Sequence, residues 1–366
     1  MKALGYKLWL SIVLAVMTGV ILLLRGQASP APPSSVTEQH EVSKPRPASI
    51  QSSKTLPESP GKEHRDFSEE HSASVYQKNK QAAAALAKIN VSVQLVSMKK
   101  TEEVPLELYV RGVLAGEMPA DFELEALKAQ AIAARTYIVR HMTNGLKEPV
   151  QITDTVQDQV YIPLKKLEKH WGSETEEKLA KLTQAVEETT GQIITYKGEP
   201  IEALFFSTSN GYTENSEDYW ANPVPYLRSV ASPWDVTLSP KYKQTATMRL
   251  SEFRSRLGVG KGAEKSLKVL SYTEGRRVKQ VKVGNKNLTG REFREKLGLG
   301  SSQFTWDIQG NWITFTTFGY GHGVGMSQWG ADAMAKRGRT ASQIIAHYYS
   351  GTKIDTAPVW LGRFES

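Results

Sequence analysis

The chemistry in this chain gathers in three short stretches, and the first is built around a carboxylate. In Leu106-Glu-Leu-Tyr-Val-Arg-Gly-Val-Leu-Ala-Gly-Glu-Met-Pro, Leu106, Tyr109, Val110, Val113 and Leu114 follow the i, i+3, i+4, i+7, i+8 spacing of one helix face. Glu117 lies three residues beyond Leu114 and continues that face. A carboxylate at the end of an apolar stripe is partly desolvated, which raises its pKa and suits it to donate a proton near neutral pH. Pro119 ends the helix soon after, so Glu117 belongs at an edge where a cleft can form. Glu102, Glu103 and Glu107 read as solvated charges. A competing explanation for Glu117 is an ion pair with Arg135 that ties two helices together.

The second stretch is Phe205-Phe-Ser-Thr-Ser-Asn-Gly-Tyr-Thr-Glu-Asn, where hydroxyl and amide side chains crowd a turn at Asn210-Gly211. Such a loop can bond sugar hydroxyls, and a structural turn explains it equally well. No G-x-S-x-G elbow occurs, so a serine hydrolase is not indicated. The third stretch, Gly319-Tyr-Gly-His-Gly-Val-Gly-Met-Ser-Gln-Trp-Gly, has glycine at alternate positions, which implies close backbone approach or unusual dihedral angles. It lacks the Gly-Lys-Ser/Thr ending of a phosphate loop. His322, between two glycines, is expected to be accessible. The seven histidines include no H-E-x-x-H pattern and no tight ligand pair outside the Pro/Ser-rich region, so no metal is expected.

The elements that must position these groups follow from periodicity. Val91 to Val96 alternates like a strand, and Leu106–Met118 and Leu124–Met142 read as helices. Ala129, Ala131, Ala133 and Ala134 make the second of these a close-packing helix, with Arg135 and Tyr137 as polar interruptions expected to face the cleft. Glu174–Thr189 is a further helix, and Gln192–Tyr196, Leu267–Tyr272, Val278–Val283 and Trp312–Phe318 are strand-like. Two helices close the chain, near Ser327–Arg337 and Ala341–Tyr349, the last begun by Thr340 and Gln343. Strands and helices alternate irregularly, so the fold class is α+β: mixed helices and a curved antiparallel sheet in one large domain, with a small α/β subdomain inserted at about 239–304.

This domain, residues 75–366, follows two other segments. Residues 1–25 hold a basic tail and the uncharged run Leu8–Leu24, about 17 residues and long enough to span a bilayer. Lys2 and Lys7 keep the short tail cytoplasmic and place the rest outside. The run is longer than a typical signal-peptide core and ends in Leu-Leu-Leu-Arg, which favours a retained anchor. Residues 26–74, rich in Pro, Ser, Glu and Lys, read as a disordered tether. The absence of cysteine removes disulfides, thiolate nucleophiles and Cys-based zinc sites. The net charge of +8 is scattered rather than clustered and comes with no nucleic-acid motif, which suits a membrane surface or an anionic wall polymer better than nucleic acid.

Ala115-Gly-Glu-Met-Pro with Glu125-Ala-Leu-Lys-Ala-Gln-Ala-Ile-Ala-Ala-Arg-Thr-Tyr, Phe206-Ser-Thr-Ser-Asn-Gly-Tyr-Thr-Glu, and Gly321-His-Gly-Val-Gly-Met-Ser-Gln-Trp-Gly-Ala together resemble the three signature blocks of the stage II sporulation protein D family. The resemblance extends over roughly Val91 to Ile354. It implies a lytic transglycosylase that acts on peptidoglycan glycan strands stripped of stem peptides, between mother-cell and forespore membranes. It also implies a partner amidase and a multi-spanning membrane protein, and no cofactor. Some relatives carry a Cys/His zinc site, which a chain without cysteine cannot reproduce. The family's catalytic glutamate corresponds to Glu117. Arg135, Tyr137, Gln159, Ser207, Ser209, Asn210, Tyr212, His322, Ser327 and Gln328 are assigned to substrate binding through block membership and polarity.

By that resemblance, Glu117 protonates the oxygen between N-acetylmuramic acid and N-acetylglucosamine. It then takes the proton of the muramic C6 hydroxyl, closing a 1,6-anhydro ring. Ordinary glycoside hydrolysis uses two carboxylates. None beyond Glu117 stands out in the blocks, and Asp158 and Glu214 are the candidates if a second is needed. The alternative from another class is a non-catalytic, wall-binding activator of a cell-wall amidase.

Overall fold

Ala126, Ala129, Ala131, Ala133 and Ala134 are fully buried in the helix Leu124–Asn144, and the fold is arranged around them. A helix face of methyl groups lets neighbours come close from several sides. It contacts the helices Leu106–Glu117, Thr175–Glu187, Gln328–Ala335 and Ala341–Tyr348 and the strand Gln192–Tyr196. Two carboxylates near its start fix the C-terminal helices. Asp332 Oδ1 accepts the Glu123 amide at 2.8 Å, and Glu125 Oε2 accepts the Ala341 amide at 2.7 Å. The computed structural model describes residues 89–144, 151–220 and 222–357. The expected anchor and tether lie outside the described residues, among which no helix is long and apolar enough to cross a membrane.

The helix Leu106–Glu117 buries Leu106, Tyr109, Val110, Val113 and Leu114, the face expected from its spacing. A second face carries Gly112 and Gly116, one turn apart, and the segment Gln159–Ile162 lies against it. A Cβ at Gly116 would stand 2.4 Å from the Val160 carbonyl oxygen, and one at Gly112 would stand 2.3 Å from the Tyr161 ring. The Ile162 amide donates to Gly112 O at 3.1 Å, and Tyr161 stacks on Tyr109 at 5.5 Å. The chain can approach this closely only because those two positions have no side chain.

The class is α+β, as expected, but no single curved antiparallel sheet forms among the described residues. The described residues build several two- and three-stranded sheets. Two of these contain parallel pairs: Asn90–Leu95 with Gln151–Thr153, and Phe205–Phe206 with Met326–Ser327. Short strands interrupted by functional turns cannot supply the length one continuous sheet needs. A second hydrophobic core is built from Met248 to Phe315, around Phe253, Phe293, Phe304 and Phe315. It takes in Ile313 and Phe315 of strand Trp312–Phe318, beyond residue 304, because that strand pairs with Lys243–Arg249 on one side and Phe304–Gln309 on the other. The helices Leu250–Leu257 and Gly290–Leu297 cover this sheet and were not expected from the sequence. Thr340 and Gln343 form the capping box read from the sequence.

Gly116→Ala tests the close approach. Helix propensity favours alanine by about 1 kcal/mol, while overpacking against backbone costs about 1–3 kcal/mol. Denaturant unfolding should therefore show a net loss of up to about 2 kcal/mol. A variant more stable than the parent would mean the Gln159–Ile162 segment does not depend on the glycine.

Candidate active site

Glu117 is the last residue of its helix, half-buried, with Met118 already extended at φ −125°. Its Oε1 accepts the Val160 amide at 2.8 Å. The glycine contact just described is what holds that amide in place. Burial pushes the carboxyl up to about 6, opposed by the Val160 amide and by the side-chain amide of Gln328. A carboxylate that accepts two or three amide hydrogens can fall below about 2. Here one backbone amide does not offset desolvation, so the proton is held to near-neutral pH.

Gln328 opens the helix Gln328–Ala335 and is 5% exposed. Its amide stands close enough to favour the charged carboxyl, yet Nε2 makes no hydrogen bond of normal geometry and is buried without a partner. The amide stands beside the carboxyl without closing a bond to it, and an unpartnered donor next to an acid is available to a ligand. Gln328 is placed by its neighbours. Ser327 caps the helix through Gly330 N–H at 3.3 Å and donates from Oγ to Asp235 Oδ1. The Trp329 amide donates to Ser207 O at 3.1 Å, and the Trp329 ring meets Phe122 edge-on at 4.8 Å.

The second and third blocks zip together. Thr208 and Tyr320 exchange backbone hydrogen bonds at 3.0 and 2.8 Å, the Glu214 amide donates to Gly323 O at 2.8 Å, and the Met326 amide donates to Leu204 O at 3.1 Å. The alternate glycines allow this. Gly323 (φ 91°) lies against the Arg277 guanidinium, and Gly325 (φ 81°) lies against Leu204 O, where a Cβ would come within 2.0 Å. The third block thereby runs from the second block to the Glu117 carboxyl.

Many residues expected to face substrate are occupied by the protein itself. Arg135 is fully buried and neither faces a cleft nor pairs with Glu117. It clasps Glu107 with Nε at 2.9 Å and Nη2 at 2.6 Å, so Glu107 is not a free solvated charge either. A guanidinium inside an alanine helix needs a carboxylate, and Glu107 on the neighbouring helix supplies it. Tyr137 donates to Asp158 Oδ1 at 3.2 Å, and Asp158 Oδ2 also accepts Thr153 Oγ1 at 2.7 Å. Gln159 accepts from the Tyr109 hydroxyl at 3.2 Å. Ser209 is buried and donates to Ser232 O at 2.6 Å. Asn210 donates to Gly275 O at 2.8 Å and accepts from Arg277 Nη1 at 3.1 Å. The half-buried Ser207 shares a hydroxyl contact with Thr208 at 3.2 Å. Tyr212 lies under the Arg276 guanidinium, 4.3 Å from its ring centre.

His322 is not the open group expected from its glycine flanks. Nε2–H donates to Phe205 O at 3.0 Å, and Nδ1 accepts the Val324 amide at 3.1 Å, an arrangement that fixes the neutral tautomer. Phe206, Tyr219 and Trp220 surround the ring at 5.7, 5.7 and 5.3 Å. Burial, with Arg294 and Arg277 nearby, pushes it down to about 3. Glu214 is 2% exposed, accepts Thr273 Oγ1 at 2.9 Å and lies 3.6 Å from Arg277 Nη1; burial pushes it up to about 7.

Three participants escaped the sequence reading. The Val160 contribution is a backbone amide and leaves no side-chain signal. Asp235 gathers Ser209 N–H, Ser232 Oγ and Ser327 Oγ, and its only trace in the sequence is an acid after Pro-Trp. Arg277 sits in Glu-Gly-Arg-Arg, a turn that looks solvated. Among the described residues no group of His, Asp or Glu is arranged to hold a metal ion.

A family model described as Stage II sporulation protein (SpoIID) matches residues 94–196. Stage II sporulation protein D of Bacillus subtilis (strain 168) is 49% identical over 281 residues, covering 75% of this chain and 82% of that one. The protein of the same name from Bacillus amyloliquefaciens is 48% identical over 281 residues, 75% of this chain and 81% of that one. The amidase enhancer of Bacillus subtilis (strain 168) is 32% identical over 299 residues, 67% of this chain and 40% of that one.

The raised Glu117 pKa has a consequence for stability. A carboxyl raised from 4.5 to about 6 contributes stability that is full below 4.5 and lost as pH rises through about 6. At pH 8 the wild type carries a desolvated charge that Glu117→Gln does not. The variant should therefore be the more stable at pH 8, by at most about 2 kcal/mol, with no advantage below pH 4.5. Thermal melts across that range check it, and a pH-independent difference would sink the assignment of the raised pKa to Glu117.

Proposed function

The chain belongs to the stage II sporulation protein D family, and from that premise we propose that it is a lytic transglycosylase acting on the peptide-stripped glycan strands of peptidoglycan during engulfment of the forespore. The observation that carries this reading is the Glu117 carboxyl: half-buried at a helix end, pushed up to about 6, and held through Oε1 alone by the Val160 amide. With Oε1 occupied, Oε2 carries the transferable proton. Protonation of the oxygen between N-acetylmuramic acid and N-acetylglucosamine breaks that bond and leaves an oxocarbenium-like muramic residue. The Glu117 carboxylate, now stabilised by Val160 N–H and by the adjacent Gln328 amide, takes the proton of the muramic C6 hydroxyl. That oxygen closes the 1,6-anhydro ring, and the acid is regenerated without water.

The two candidates for a second carboxylate support a single-acid scheme. Asp158 is bonded to Thr153 and Tyr137, and Glu214 is buried against Thr273 and Arg277, so neither is offered to a substrate. The proposal places the domain outside the cytoplasmic membrane, anchored through residues 8–24, with a cell-wall amidase and a multi-spanning membrane protein as partners. The similarity to a protein named amidase enhancer favours one second reading, a wall-binding activator without catalysis.

Digestion of peptide-free glycan strands by the full-length chain distinguishes the two, with products identified by mass. Wild type should release anhydro-muramic ends, and Glu117→Ala should lose about 10²–10⁴-fold, the contribution of one positioned acid–base group. Reducing ends would mean hydrolysis, and no product from folded wild type would favour the activator. Because the first step needs protonated Glu117, the rate should fall tenfold per pH unit above about 6. A rate that stayed flat to pH 8 would remove Glu117 from the proton transfer.

A further inference from the structure

A cavity of about 220 Å³ lies away from Glu117, between the second core and the third block. Its walls are Gln244 and Thr245 of one strand, Thr317 of the next, the Gly298–Gly300 turn, Arg294 and Tyr320. No carboxylate lines it. Arg294 is oriented: Nε donates to Leu299 O at 3.2 Å and Nη1 to the Tyr219 hydroxyl at 3.2 Å, and no salt bridge engages the guanidinium among the described residues. Lys241 holds its ammonium 5.2 Å from the centre of the Tyr320 ring, and burial pushes that ammonium down. A half-buried guanidinium in the wall of a small cavity lined by no carboxylate, with a further cation on the Tyr320 ring, attracts an anion.

We propose that this cavity is a subsite for a carboxylate-bearing sugar of the glycan strand, a muramic residue whose lactyl group ends in a free carboxylate. The proposal rests on the reading of peptidoglycan glycan as substrate. Arg294 offers a guanidinium to the carboxylate, the geometry guanidinium matches best. The exposed Thr245 hydroxyl and the Gln244 amide suit sugar hydroxyls, and the Tyr320 ring offers a face to the sugar's C–H groups. The volume is below the roughly 300–1,000 Å³ of sites that enclose larger ligands. A muramic residue that still carries its stem peptide presents a neutral lactyl amide here and loses the charge that Arg294 would meet. Tyr320 belongs to the loop that ends at Gln328 beside Glu117, and the Gly321 amide bonds Gly300 O at 2.9 Å, so the cavity and the acid are held by one loop. The subsite thus gives the strand a physical check for the absence of peptide.

The test is equilibrium binding to the full-length chain purified in detergent, with four probes: N-acetylmuramic acid, N-acetylglucosamine, N-acetylmuramoyl dipeptide and inorganic phosphate. N-acetylmuramic acid should bind at least tenfold tighter than each of the others. Arg294→Gln should remove that preference. Arg294 also bonds Leu299 and Tyr219, so Thr245→Trp, which fills the cavity from an exposed strand position, is the second variant and should block binding outright. Equal binding of the two monosaccharides overturns the proposal, as does indifference to both variants. Dipeptide binding equal to that of N-acetylmuramic acid would point to a peptide carboxylate, and equal phosphate binding to an unselective anion site; either overturns it as well. Binding is read without cleavage, so an inactive chain that still selects N-acetylmuramic acid separates failure of the catalytic reading from failure of this one.

Discussion

The structure turns on one close approach, that of the Gln159–Ile162 segment to the glycine face of the Leu106–Glu117 helix. Without side chains at Gly112 and Gly116, the Val160 amide comes within 2.8 Å of the Glu117 carboxyl and its carbonyl comes against the helix. The same contact excludes water from one side of the carboxyl. Desolvation and a single hydrogen bond therefore arrive together, and desolvation is the larger effect. A second or third amide at the same place would have produced a permanently charged glutamate, useful as a structural anchor and useless as an acid.

The remaining polar residues of the three blocks divide into scaffold and exposed surface, and most are scaffold. Asp235 shows the logic. A buried carboxylate needs donors, and it finds them in the second block (Ser209 N–H), in the short strand Ala231–Ser232 (Ser232 Oγ) and in the third block (Ser327 Oγ). One acid thus locks three stretches of chain that are distant in sequence, and the Ser327 cap sets the direction of Gln328. Hydroxyl-rich loops resemble sugar-binding surfaces in composition, but a hydroxyl that already bonds a buried acceptor has nothing left for a ligand.

Local pattern was legible wherever a single element decides it. The Glu117 face, the alanine helix, the strands Gln192–Tyr196, Val278–Val283 and Trp312–Phe318, and the Thr340 capping box follow from spacing and residue type, and each lies within a residue or two of its expected place. Pairing was less legible. Arg135 was read against Glu117, while its partner Glu107 stands in the first turn of the neighbouring helix and looked solvated. The strand Lys243–Arg249 was missed because it is mostly polar and exposed, with Met248 its one buried residue, so its alternation is weak. His322 illustrates the limit of reading glycines as openness. Flanking glycines do not expose the ring; they let the backbone turn so that both ring nitrogens meet backbone groups.

Two glutamates, the half-buried Glu117 and the buried Glu214, are raised to similar values, and they show why a raised pKa does not by itself identify an acid catalyst. Both are raised chiefly by burial. Glu214 is opposed by the Arg277 guanidinium and Thr273, which close over it, and a Cβ at Gly275 would stand 1.9 Å from its Oε1. Its proton has nowhere to go but the protein. Glu117 has no cation beside it, keeps one oxygen unbonded to backbone, and stands at a helix end next to an unpartnered amide. A proton held near neutral pH becomes useful to a substrate only where the oxygen that carries it is not already covered, and among these two residues only Glu117 meets that condition.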